Sequence, residues 1–195
     1  MTGFSFLFVS GNLKENCYSK KKSLFLKYIG IKKGFLRTYH DRLAYNNSVT
    51  EPIKGMYIIP HSLPNLRQAG KSAKMFRREW LWFRTEDFSH EQTLVFETQN
   101  GLVVFSSCTH AGVDNVLKEV NTALPNKSVY AFVGGLHLHK SSDEEIAEVC
   151  KKLNVSGIKV LYTGHCTGEN AIDILKNQAK FQVKETFAGL VEAIE

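Results

Sequence analysis

Three histidines in the second half of the chain stand just beyond apolar, strand-like runs: His110 after residues 102–107, His137 after 128–133 and His165 after 160–163. Open α/β sheets bind ligands in the crevice beyond the carboxyl ends of their strands, so three rings delivered there are expected to converge on one point. Neutral imidazole is the commonest metal ligand, and Cys108 and Cys166 lie beside two of the rings, which makes a metal the first chemistry to consider. Cys108 and His110 are two residues apart at a strand end. If the extended conformation persists they point the same way, one as a ligand and the other as its support. His137, in Gly-Gly-Leu-His-Leu, has the competing role of bonding the turn or orienting a ligand, while His90 and His139 have less context and His40 and His61 have none.

The elements that must position these residues are clear from residue 93 onward. Residues 93–98 and 102–107 are β-rich runs separated by Gln99-Asn100-Gly101, a hairpin signal. Val113, Val116, Leu117, Val120 and Leu124 recur at helical spacing. The strand 128–133 exits through Gly134-Gly135, which permits a sharp turn. Ser142-Asp143-Glu144-Glu145 reads as a capping box opening a helix that buries Ile146, Val149 and Leu153. A strand over 158–162, a helix marked by Ala171, Ile172 and Leu175, and a last strand near 181–185 complete the pattern. Gly164 and Gly168 are expected to flank a tight strand-to-helix turn, and a valine at Gly164 is expected to harm folding if the backbone there has φ > 0. The helix N-terminus beyond suits an anion.

The first ninety residues are less regular. Asn46-Asn47-Ser48, Pro60, Pro64 and Gly70 break any long element, so loops and short strands are expected. Residues 60–90 carry Trp80, Trp82 and Phe83 among arginines without a clear period, which reads as a lid or loop, or as aromatics that anchor a loop to the core. The run 4–9 alternates Phe4, Phe6 and Phe8 with smaller residues and reads as a buried strand, far shorter than a membrane span. A chain of 195 residues, 43% hydrophobic and 23% charged, fits a single domain over 1–195. Four cysteines without tight paired spacing, and no leader pattern, fit a reduced cytoplasmic setting. The formal charge of +6 gathers in Lys20, Lys21, Lys22, Lys27, Lys32, Lys33 and Arg37, and again in Lys71, Lys74, Arg77, Arg78 and Arg84. Such runs are first of all solvated faces, with phosphate-bearing ligands or nucleic acid as the alternative.

The set Phe88-Ser89-His90-Glu91-Gln92-Thr93-Leu94-Val95, Ser107-Cys108-Thr109-His110-Ala111-Gly112, Gly134-Gly135-Leu136-His137-Leu138 and Tyr162-Thr163-Gly164-His165-Cys166-Thr167-Gly168 resembles the metallo-β-lactamase fold hydrolases. Within them it is most similar to the subgroup of dihydropterin-ribofuranosylaminobenzene phosphate synthase. The resemblance implies an α/β fold, an αβ/βα sandwich with a metal site at one edge, here partial and N-terminally truncated. The family's His-x-His-x-Asp-His signature does not occur in these residues. The expected donors are therefore His110, His165 and Cys108, with His90 and His137 behind them, and at most one zinc or similar divalent ion. His90 stands where many relatives carry an acidic residue.

The implied activity is a metal-dependent hydrolase or synthase acting on a small anionic substrate, pterin or phosphate-bearing, and impaired by the missing signature. Arg77, Arg78 and Lys74 are candidate phosphate contacts, with Trp80 and Trp82 stacking on a flat ring. The alternatives are a non-catalytic fragment or pseudoenzyme and, behind it, an RNA-binding or nuclease-like relative. No membrane partner is expected, and a truncated sandwich is expected to self-associate through an open sheet edge.

Overall fold

The computed structural model describes residues 7–20, 25–64 and 66–194. Phe4 and Phe6 of the expected first strand, and Lys21 and Lys22 of the first basic run, lie outside the described residues. Where the sequence reading expects one domain, contacts divide the chain into two compact units, Met1–Val49 with Pro60–Gln92, and Thr50–Ile59 with Thr93–Glu195.

The first unit is built from short strands. It contains β1 (Leu7–Ser10), β2 (Cys17–Lys20), β3 (Leu26–Tyr28), the single-turn α1 (Phe35–Thr38) and β4 (Leu43–Asn46). The chain then leaves for β5 (Thr50–Ile53) and β6 (Met56–Pro60) before α2 (Leu66–Ser72), β7 (Met75–Glu79) and β8 (Trp82–Thr85) complete the unit. β1 pairs parallel with β4, and a separate antiparallel sheet has the order β3-β2-β7-β8. Tyr18 anchors that sheet by meeting Tyr28 and Phe83 edge-on, with ring centroids 5.4 and 5.1 Å apart.

The stretch 60–90 is thus a helix and a hairpin rather than the expected long loop. Its strands are only five and four residues long and β8 is exposed along most of its length, so no two-residue burial alternation could surface in the sequence. Trp80 and Trp82 are exposed, which removes the reading in which they anchor a loop to the core.

The second unit holds β9 (Gln92–Thr98), β10 (Gly101–Phe105), α3 (Val113–Ala123), β11 (Val129–Val133) and α4 (Asp143–Ser156). After these come β12 (Val160–Thr163), α5 (Glu169–Gln178) and β13 (Gln182–Glu185). Its sheet has the order β13-β12-β11-β10-β9-β6-β5. β9 and β10 form the expected hairpin, Gly101 opposite Thr98, and β10 through β13 run parallel with a helix between each consecutive pair.

Parallel strands covered on both faces must be largely apolar, as β10, β11 and β12 are, whereas the edge strand β13 is polar. Leu102, Val104, Phe132 and Leu161 face the main core with Val116, Val120, Ile146, Leu153 and Leu175 from the helices. The alternate residues Val103, Ala131, Val160 and Tyr162 form a second cluster. The capping box at α4 is complete: Ser142 Oγ accepts from the Glu145 N–H at 3.3 Å, and Glu145 Oε2 accepts from the Ser142 N–H at 2.9 Å. That pair satisfies two of the four N–H groups a helix start leaves open.

Candidate functional site

Because β10, β11 and β12 are parallel neighbours, their carboxyl ends open on one edge of the second unit's sheet. Each exit carries a non-glycine residue in the left-handed region: Thr109 at φ 48, His137 at φ 55 and His165 at φ 51. Such conformations are uncommon and costly, and they gather at functional sites where the surroundings hold them in place.

Hydrogen bonds hold these exits together. The Gly134 N–H donates to Tyr162 O, the Gly135 N–H to Ser107 O and the His139 N–H to Cys166 O, at 2.9, 2.8 and 3.1 Å. Beneath them lie Thr163 and Thr167, both fully buried. Thr163 Oγ1 donates to Gly134 O at 2.8 Å, so in its 2.7 Å contact with Thr167 it must accept, since a hydroxyl has one proton. Thr167 in turn accepts from the Leu136 N–H at 2.9 Å. One directed chain of hydrogen bonds therefore fixes the exit of β11 against the exit of β12.

On this frame Cys108 Sγ, a ring nitrogen of His165 and Cys166 Sγ all lie within 4.8 Å of one another. Cys108 and Cys166 are half-buried and His165 is exposed. Gly135 makes the cluster sterically feasible, because a β-carbon there would sit 2.6 Å from Cys166 Sγ. Two of the three expected donors thus come together, joined by Cys166, which the sequence reading treats only as a neighbour of His165. Cys166 was recoverable, since it is the sulfur adjacent to the ring.

His110 packs edge-on against His137, ring centroids 4.6 Å apart, and His137 against His139 at 5.1 Å. The expected alternation between Cys108 and His110 does not hold. The strand ends at Phe105, Cys108 lies in a bend, and Thr109 between the two residues is left-handed.

The condition of positive φ is not met at Gly164, whose φ of -179° is ordinary extended backbone. Glycine is needed there for space: a β-carbon would meet Thr186 Oγ1 at 2.5 Å and Thr186 O at 2.6 Å. The positive φ belongs to Gly168, at 83°.

His90 lies in the first unit and belongs to a different group. Cys17 Sγ, a Glu86 carboxylate oxygen and a His90 ring nitrogen also fall within 4.8 Å of one another. Glu86 is buried, and Oε1 accepts from the Asp87 and Phe88 N–H groups at 3.0 and 3.1 Å. Burial pushes the Glu86 carboxyl up, but the His90 ring and the Arg77 charge outweigh it and leave the group below the ordinary carboxylate value. Burial likewise pushes His90 down, yet Glu86 holds it above the usual imidazole value. For Cys17, burial and then the Glu86 charge act together and push the thiol up to about 12, so it donates to Glu86 Oε2 at 3.4 Å. Sequence reasoning missed Cys17 and Glu86 because β2 and the turn after β8 become neighbours only through long-range pairing.

Of the candidate substrate contacts, Arg77 is already engaged, its guanidinium 2.5 Å from Asp87 Oδ2. Arg78 donates weakly to Trp80 O at 3.4 Å, and Trp80 and Trp82 present their rings to solvent.

No family model matches the chain. A crystal structure of a metal-dependent hydrolase of the β-lactamase superfamily matches 96% of this chain and 71% of its own, at 30% identity with a TM-score of 0.81. The chain belongs to the metallo-β-lactamase superfamily. Its α/β architecture is the fold of that superfamily. A curated relative from Methanocaldococcus jannaschii, 7,8-dihydropterin-6-methyl-4-(beta-D-ribofuranosyl)-aminobenzene-5'-phosphate synthase, is 31% identical over 106 residues. That match takes in 54% of this chain, which spans only 36% of the relative's length.

A metallo-β-lactamase relationship implies a divalent ion, and the cluster at the strand exits fits one. Two sulfurs and an imidazole are donors that would suit a zinc-like ion, and a set of three protein ligands would leave room for a water.

Proposed function

We propose that the chain forms a metal-dependent hydrolase site for a small anionic substrate, centred on Cys108, His165 and Cys166 with one ion, zinc by its donor set. The observation that carries this reading is the 4.8 Å cluster of three ligand atoms at the strand exits of a metallo-β-lactamase superfamily member. His110 and His137, edge-on with ring centroids 4.6 Å apart, are the proposed proton-handling and orienting groups, and His110 is the remaining candidate ligand.

A divalent ion bound there supplies Lewis acidity toward an ester or phosphoester oxygen and acidifies water. The protein's part is positioning. The Thr163–Thr167 chain keeps the exits of β11 and β12 in register, and the left-handed turns at Thr109 and His165 present their neighbours' side chains without further reorganisation. Within the first unit Arg78, Trp80 and Trp82 are exposed, an arrangement suited to binding a phosphate or a flat ring on that unit, while Arg77 is engaged by Asp87. These residues contain no His-x-His-x-Asp-His, so the proposed turnover of the chain by itself is weak.

The proposed setting is a reducing, cytoplasmic one, which fits four cysteines with no disulfide among them. Among the described residues no helix is long and apolar enough to cross a membrane.

Stripping the chain with a chelator and reloading zinc tests the reading. Hydrolysis of an activated phosphodiester or ester should return with zinc and fall in Cys166→Ser and His165→Ala, each still folded by circular dichroism. Zinc-independent turnover, or none at any zinc level with no zinc retained, would reject the hydrolase site.

A further inference from the structure

Among the described residues there are two donor clusters, and the proposed hydrolase site on which this inference rests accounts for one and leaves the other, in the first unit, without a role. We propose that Cys17, Glu86 and His90 form a second divalent-metal site, structural in character and selective for zinc-like ions, that ties β2 to the turn following β8.

Three features of the cluster support this. Its donors are mixed, one sulfur, one carboxylate oxygen and one imidazole nitrogen, which is a set suited to zinc rather than to calcium or magnesium. Its spacing is close to what coordination demands. Zinc–ligand bonds of about 2.0–2.3 Å opened at a tetrahedral angle separate donor atoms by about 3.4–3.7 Å. Cys17 Sγ lies 3.4 Å from Glu86 Oε2, the oxygen that would ligate, His90 Nδ1 lies 3.5 Å from the other oxygen of the same carboxylate, and one ligand atom from each of the three residues falls within 4.8 Å of the others.

The carboxylate is also held in place by the fold. Oε1 is occupied by the Asp87 and Phe88 N–H groups, in a turn whose Phe88 sits at φ 51 and is itself buried. Oε2 is therefore the oxygen presented to Cys17. Such outer hydrogen bonds to a ligating group are what orients it for a metal.

Charge permits the assignment. A thiolate from Cys17 and the Glu86 carboxylate balance a divalent cation while His90 stays neutral. The neighbouring cation Arg77 is compensated by Asp87 at 2.5 Å and turned to Ser89 Oγ at 3.4 Å. The consequence is a clasp between segments far apart in sequence, since Cys17 sits on β2 and both other donors follow β8. The expected ion count for the chain rises from one to two.

The test uses cobalt(II) as a spectroscopic probe in the Cys108→Ser/Cys166→Ser chain, which removes both thiols of the hydrolase site. The expected result is one bound cobalt with a thiolate-to-metal charge-transfer band, displaced by zinc, and a raised melting temperature in its presence. His90→Gln keeps the thiol and should weaken cobalt affinity by about tenfold or more. Adding Cys17→Ser should abolish the band. Absence of the band in the double variant overturns the proposal whatever the Cys17→Ser protein does. So does a band that survives Cys17→Ser in folded protein. Neither result touches the strand-exit site, whose sulfurs are already gone.

Discussion

Gly135→Ala is the sharpest perturbation of the strand-exit cluster, because it adds one methyl group and changes no donor. A β-carbon at Gly135 would lie 2.6 Å from Cys166 Sγ, 3.3 Å from Ser107 O and 3.5 Å from Gly164 O. Comfortable heavy-atom contact is about 3.5–4.0 Å, so the sulfur must retreat by about 1 Å, while the two backbone oxygens already sit close to contact. Metal–ligand distances tolerate only about 0.2 Å, several times less than that retreat. Zinc affinity should therefore fall by about 10- to 100-fold, the size of effect seen when a ligand's support is altered. The assay is competition for zinc against a chromophoric chelator in the Cys17→Ser background, which isolates this site. Urea unfolding run in parallel separates metal loss from misfolding. A Gly135→Ala protein that folds and holds zinc as tightly as its parent would show that Cys166 is not a ligand.

Thr163→Val removes the hydroxyl that donates to Gly134 O and accepts from Thr167 in a fully buried place. Urea unfolding should show a loss of about 1–3 kcal/mol, the cost of leaving buried partners unsatisfied. Ser142→Ala opens the capping box of α4 and should cost about 1 kcal/mol in the same experiment, with no effect on zinc affinity. Glu97 gives a pH prediction. The Lys127 hydrogen bond holds its carboxyl below the ordinary value, so its contribution to stability is present above the unfolded carboxylate value and is lost as pH falls through the lower folded one. Glu97→Gln should flatten the acid limb of a stability–pH curve, modestly because the pair is exposed, and an unchanged curve would refute the assignment.

From β9 onward the second unit was legible in its elements because each is specified locally, whereas β5 and β6, which join its sheet from the irregular first ninety residues, were not. Val113, Val116 and Val120 set the period of α3, Ser142 and Glu145 open α4, and Asn100-Gly101 closes the β9–β10 hairpin. The first unit was not. Its sheet depends on pairs such as Cys17 with Arg77 and Tyr18 with Phe76, between strands too short and too evenly half-buried to show a pattern. The same reason hid Cys17 and Glu86, and it left His90 as a candidate judged beside partners in the other unit. At the strand exits the donor types were readable, but the grouping was not. Left-handed backbone at Thr109 and His165 decides which neighbours meet, and nothing in either residue type announces it.

Zinc-edge X-ray absorption on the Cys17→Ser chain loaded with one equivalent of zinc tests the central claim most directly. The account predicts two sulfur scatterers at about 2.3 Å and imidazole nitrogen at about 2.0–2.1 Å, with the sulfur count falling to one in Cys166→Ser. A coordination shell of nitrogen and oxygen alone, or one in which Cys166→Ser leaves the sulfur count unchanged, would contradict it.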